Sequence, residues 1–236
     1  MTQSASPRTL APAPPNPYRT LLRGTALALA ICLPLVVLCY YYVDRPAAFY
    51  VARHDVAKTP GLELLTEPPP LVQAWSPLVA AILIAAWAWI TPRRWQRALL
   101  VACLTLIIAD QFRQSLGDLC GRTWPETWHD DNPSLIGTGA YGFHPFEFGD
   151  DVGSFPSGHA TRIAAFLGVF WLAYPRPSVR ALCLLLGIPL SLSLIAMNYH
   201  FVSDVIAGAF LGGIITSYAV TLARTTLWAL LASRSW

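Results

Sequence analysis

The sequence predicts an all-α membrane protein, a bundle of six spanning helices with a capped site at its outward face. Three observations carry that expectation. Of 236 residues, 55% are apolar and only 12% charged, with a mean hydropathy of +0.47, where an ordinary soluble domain carries about 25% charged residues. The apolar residues gather into six runs, most of them near the roughly 20 residues that cross a hydrocarbon layer about 30 Å thick. The arginines Arg8, Arg19, Arg23, Arg93, Arg94, Arg97, Arg176, Arg180, Arg224 and Arg234 occupy alternate links and ends with no acid among them, while all 13 acids lie in or beside the opposite connections. The positive-inside rule then places both termini in the cytoplasm. For a bacterial source, the outside is the periplasm of an inner-membrane protein.

Residues 1–18 are rich in Pro, Ala, Ser and Thr and read as a disordered cytoplasmic tail, leaving 19–236 as one membrane domain. The run at 21–43 is longer than the roughly 7–15-residue core of a signal peptide and lacks a small-residue cleavage site, so it reads as a first span. Further runs fall at about 71–91, 98–112, 160–174, 181–197 and 205–231. The third is short, and the last is long enough to end beyond the membrane. Gly208 and Gly212 form a small-xxx-small step suited to close helix packing in lipid. The outer loop of about 113–156 is long, aromatic and punctuated by Gly and Pro, notably at 121–128 and 141–146. Loops of that length are usually functional or disordered, and this composition points to a packed cap. The tryptophans Trp87, Trp89 and Trp95 suit an interfacial belt. Cys32, Cys39, Cys103 and Cys183 sit inside apolar runs, with Cys120 just outside one, so no disulfide framework or CxxC metal spacing is visible. Nothing resembles a nucleotide loop or a nucleic-acid surface.

Two constellations carry chemistry. Ser154-Phe155-Pro156-Ser157-Gly158-His159 stands immediately before the fourth span. The free backbone N–H groups and dipole of a helix start favour an anion such as phosphate, and His159 would stand over it as a proton donor or acceptor. Taken alone, the string reads equally well as a helix start. Asn198-Tyr199-His200-Phe201-Val202-Ser203-Asp204 opens the last span. His200 and Asp204 are four apart and share one face of a helical turn. A carboxylate on one imidazole nitrogen fixes the tautomer and leaves the other to attack; the alternative is a capping Asp beside an interfacial His. Topology brings both motifs to the outer ends of spans.

Pro-Ser-Gly-His followed by His-xxx-Asp at matching helix ends resembles the type-2 phosphatidic acid phosphatase superfamily, which includes membrane lipid phosphatases and vanadium haloperoxidases. The resemblance covers the six-span layout, the large outer loop and motifs over residues 117–204. It implies phosphoryl transfer without metal or other cofactor, on a lipid phosphate or diphosphate held at the membrane surface. His200 would attack phosphorus to form a phosphohistidine, with Asp204 orienting its ring. His159 would protonate the leaving alkoxide and then assist water, and Ser157 and Gly158 would hold phosphoryl oxygens. The chain departs from the family pattern at three cations, whose positions fall on Gly117, Trp124 and Leu194. A site without cations loses its main source of transition-state stabilisation.

Three arginines stand nearby as substitutes for phosphate contact: Arg122, Arg113 one turn before Gly117, and Arg162 three residues after His159. A guanidinium inside a span needs a partner or a wet cavity. The alternatives are pairing of Arg113 with Asp110 or Asp118, and of Arg162 with Asp204. His129, Asp130 and Asp131 read as a solvated loop, His144 as a rim residue, and His54 and Lys58 as unremarkable outer-loop groups. Two further functional readings compete: a catalytically degenerate protein that binds or moves lipid, and a metal enzyme built on His159, His200 and Asp204.

Overall fold

The computed structural model describes residues 16–128, 131–146 and 152–227. Its helices are α1 (Pro17–Tyr42), α2 (Asp44–Arg53), α3 (Pro68–Ala86), α4 (Arg94–Cys120), α5 (Gly158–Ala173), α6 (Pro177–Ala196) and α7 (Val202–Leu222), the last running on into a π turn at Ala223–Leu227. The all-α expectation holds: only isolated bridges, Arg122 with Phe143 and Trp124 with Ser134, interrupt the helices among the described residues. Residues 1–15, His129, Asp130 and Arg234 lie outside the described residues.

Each helix begins where local chemistry permits. Asn16 accepts from the Tyr18 N–H at 3.0 Å and Pro17 opens α1, since proline's missing donor costs nothing in a first turn. Ser157 caps α5 by accepting from the Ala160 N–H at 3.3 Å, and Pro177 opens α6. In α7, Asp204 reaches back to accept from the Phe201 N–H at 2.9 Å.

Two boundaries differ from the sequence reading. The third run is not short: α4 is 27 residues long and continues through Arg113 to Cys120, so the outer loop starts at Gly121. Its charged last turns mimic a loop because their partners, such as Arg162 for Asp110, come from another helix. The fourth run is the short one. At 16 residues, α5 measures about 24 Å at 1.5 Å per residue, and it falls outside the five helical stretches long and apolar enough to cross a membrane unaided. It is the inner helix of the bundle, packed on α3, α4, α6 and α7. Its C-terminal carbonyls are met by arginines from neighbours: Arg94 donates to Ala173 O and Arg224 to Leu172 O, both at 2.6 Å. A cation at a helix C-terminus is favourable.

The α5–α7 contact is made by glycines. A Cβ on Gly208 would lie 2.5 Å from Ser157 O, and one on Gly212 would lie 2.5 Å from Thr161 O. The two backbones therefore touch, as the small-xxx-small step predicts. Around this seam sit small cores, Ala160, Leu194 and Val205 toward the site and Val101, Ala102, Val169 and Val220 at the opposite end.

Candidate active site

Gly121 turns the chain from α4 into the cap. Its φ is +56°, in the left-handed region, its N–H returns to Gly117 O at 2.9 Å, and a Cβ there would overlap the His144 carbonyl. The cap then folds on itself. Trp124 N donates to Pro133 O at 3.1 Å, Leu135 N to Trp124 O at 2.9 Å, and His144 N to Gly121 O at 2.8 Å. Leu135 and Phe201 bury against Ala48 of α2. The expected packed cap is present in the described residues.

Beneath it, the two motifs are joined through the backbone: Ser157 N donates to Asp204 O at 3.0 Å. The turn before α7 is held by Leu194 O, which accepts from Tyr199 N at 3.0 Å and His200 N at 3.3 Å. Asn198 takes φ +54° there, a conformation asparagine tolerates better than most residues. The result sets the rings of His159 and His200 6.1 Å apart. Trp124, at the position of a family cation, lies 5.4 Å from the His200 ring.

His200 and Asp204 are neighbours, but not through the helical turn the spacing suggests. His200 precedes α7, and its Nδ1 lies 3.8 Å from Asp204 Oδ2, without a hydrogen-bond partner. Catalytic hydrogen bonds are often this long without substrate. Burial pushes the His200 imidazole below its ordinary pKa; Asp204 and the Ser154 backbone oppose that, and Arg113 adds to it.

Arg113 and Arg162 converge on Gly158. A Cβ on that glycine would lie 3.2 Å from Arg113 Nε and 3.4 Å from Arg162 Nη1. Arg113 donates to Gly153 O at 2.8 Å and Pro156 O at 3.2 Å. Arg162 pairs with Asp110 at 2.6 Å, rather than with Asp204. The Gly158 and His159 N–H groups have no acceptor among the described residues, as the first turn of a helix requires.

Arg122 is a correction. Expected at the phosphate, it is 0% exposed and enclosed. Its Nη1 donates to Ser203 Oγ at 2.6 Å and to Asp204 Oδ1, and its Nη2 pairs with Asp44 at 2.7 Å. The rings of Phe201, Phe143 and Tyr40 surround it at 4.4, 4.9 and 5.4 Å. Both terminal nitrogens are engaged, one of them on Asp204 Oδ1, while Nε has no hydrogen-bond partner among the described residues. Asp44 was missed altogether, because an acid directly after a span reads as a headgroup-side charge. The one signal was Pro46 two residues on, which marks a helix start. Of the other polar groups weighed from the sequence, His144 and Asp131 are exposed, and Lys58 pairs with Asp55 at 2.7 Å.

Comparison with known proteins follows the same lines. The chain is 32% identical over 133 residues to a lipid A 1-phosphatase of Rhizobium etli, covering 56% of this chain and 53% of that protein. A lipid A 1-phosphatase of Rhizobium johnstonii matches at 32% over 133 residues, with 51% of it covered. The chain spans about half the length of these relatives. A crystal structure described as the first transmembrane PAP2-type phosphatidylglycerolphosphate phosphatase from Bacillus subtilis shares the fold, with a TM-score of 0.52 at 16% identity over 86% of this chain and 96% of that one. The PAP2 superfamily profile matches residues 98–228, from the start of the third span to the end of the last. On that match the chain belongs to the PAP2 superfamily.

Proposed function

We propose that this protein is a membrane phosphatase that hydrolyses a lipid phosphate or diphosphate at the outward face, through a phosphohistidine on His200. The observation that carries the reading is the approach of His159, at the start of α5, to His200, just before α7, with Arg113 and Arg162 both reaching Gly158. With Nδ1 turned to Asp204, Nε2 attacks phosphorus. The P–O bond to the lipid breaks, and His159 gives its proton to the leaving oxygen. His159 then takes a proton from water, which displaces the phosphoryl group from His200 and releases inorganic phosphate. Arg113, Arg162, the Gly158 and His159 N–H groups and the Ser157 hydroxyl receive the equatorial oxygens, where charge accumulates in such a transfer.

Burial keeps His200 neutral at neutral pH, the form a nucleophile needs. An amphiphilic substrate is supported by a groove of about 320 Å³ between α5 and α6. It starts at Ala160, beside His159, and runs past Ala164, Leu167 and Gly187. The names of the Rhizobium relatives put 1-phosphorylated lipid A first in the substrate panel, followed by phosphatidylglycerol phosphate, phosphatidic acid and undecaprenyl diphosphate.

The test is phosphate release from that panel by detergent-purified protein in EDTA, with His200→Ala beside it. Turnover that persists in EDTA and disappears in the variant is expected. Folded, monodisperse protein with no turnover on any lipid would instead favour a lipid-binding relic, and activity abolished by EDTA would favour a metal enzyme.

A further inference from the structure

Asp44 lies well before the profile-matched residues, at the first turn of α2, yet it is 1% exposed. A carboxylate is almost never so enclosed unless paired. Its Oδ1 accepts from Ser203 N at 3.0 Å, and its Oδ2 accepts from the Ser203 hydroxyl and from Arg122 Nη2, the latter at 2.7 Å. Arg122 in turn holds Asp204, the residue facing His200. We propose that Asp44 is a positioning residue of the active site: by sharing the Arg122 guanidinium, it fixes Asp204 in place and leaves it negative charge to spend on His200.

The charge arithmetic is local. Asp44, Arg122 and Asp204 contribute two carboxylates and one guanidinium, hence one net negative charge in a fully buried cluster. Without Asp44 the guanidinium would neutralise Asp204 alone. Phosphoryl transfer to one imidazole nitrogen makes the ring cationic, and a buried negative charge a few ångströms away favours that state strongly because little solvent screens it. Asp204, from α7 at 3.8 Å, is the member of the cluster that faces His200. The other titratable and charged groups around the ring bring no negative charge: His159 from α5 with its ring 6.1 Å away, Arg162 beside it, and Arg113 from α4. Trp124 from the cap brings no charge. The consequence for turnover rests on the phosphatase reading above; the charge balance does not.

The experiment follows the His200 ring by NMR titration of histidine-labelled protein in detergent, assigned with His200→Ala, alongside kcat and KM on a lipid phosphate. Asp44→Asn makes the cluster neutral, so the His200 titration moves to lower pH, and kcat falls about tenfold or more with KM within about twofold. Arg122→Gln leaves two unopposed carboxylates and moves the titration to higher pH. The double variant restores one net negative charge, so the two opposed shifts cancel and the titration returns toward wild type. A purely structural role would not produce opposed shifts. Shifts in the same direction, no shift in either single variant, or a double variant displaced as far from wild type as a single variant would overturn the proposal. If one single variant does not fold, the sign of the other's shift decides. Wild-type protein without turnover would defeat the phosphatase reading, while the NMR shifts would still judge Asp44.

Discussion

Arg113 reaches the start of α5 from α4, Arg162 belongs to α5 itself, and both come close to Gly158. We propose that they stand in for the cations that the family pattern places at Gly117, Trp124 and Leu194. If they carry the phosphate, Arg113→Ala and Arg162→Ala should each lower kcat/KM by roughly 10- to 100-fold, the loss of about 1.5–3 kcal/mol for a hydrogen bond to a charged group. Lysine should restore only part of this, since its ammonium cannot reproduce the guanidinium fork. Steady-state kinetics on folded variants checks both, and full activity in the Arg113→Ala, Arg162→Ala double variant would remove these residues from the site. The pH profile follows from His200. Burial lowers its pKa, and the neutral ring is the nucleophile, so protonation removes activity only below the ordinary value of about 6.5. The acid limb of kcat should therefore lie below that pH, and a limb above it would mean that Asp204 outweighs burial.

The α5–α7 seam sets how far apart the two histidines stand. Gly208→Val would press its side chain onto Ser157 O, which a Cβ alone already approaches to 2.5 Å. Overpacking of this kind costs about 1–3 kcal/mol. A lowered Tm is expected together with a fall in kcat, because Ser157 caps α5 two residues before His159. Gly24→Ala, where a Cβ meets nothing within 4 Å, is the neutral comparison. The seam was legible in the sequence as a small-xxx-small step, and so were the six apolar runs and both histidine motifs, because these are local patterns of spacing and composition. The extension of α4 was not. Arg113 and Asp118 look like loop residues until Gly153 and Pro156 accept from Arg113, and Gln114 one turn earlier donates to Asp118. Nor was the true place of Arg122 visible, since it depends on Asp44, 78 residues away in the chain. Spacing along the chain shows what one helix presents, not which distant charge it meets.

For the whole molecule, helix directions put α2, the cap, the start of α5 and the start of α7 at one end of the bundle, with the arginine-rich links at the other. If the positive-inside rule governs insertion, a single cysteine at Lys58 in a cysteine-free background should react with an impermeant maleimide in intact spheroplasts. One at Trp89 should react only after permeabilisation, and the reverse pattern would place the site in the cytoplasm. The central claim, though, is the covalent intermediate. Rapid quenching of enzyme mixed with a radiolabelled lipid phosphate, in EDTA, tests it most directly. The account predicts an acid-labile, base-stable phosphoprotein that maps to His200, is absent in His200→Ala, and forms faster than it decays in His159→Asn when the leaving group needs no proton. Phosphate release at full rate with no such adduct in wild type or His159→Asn, or an adduct on another residue, would contradict it.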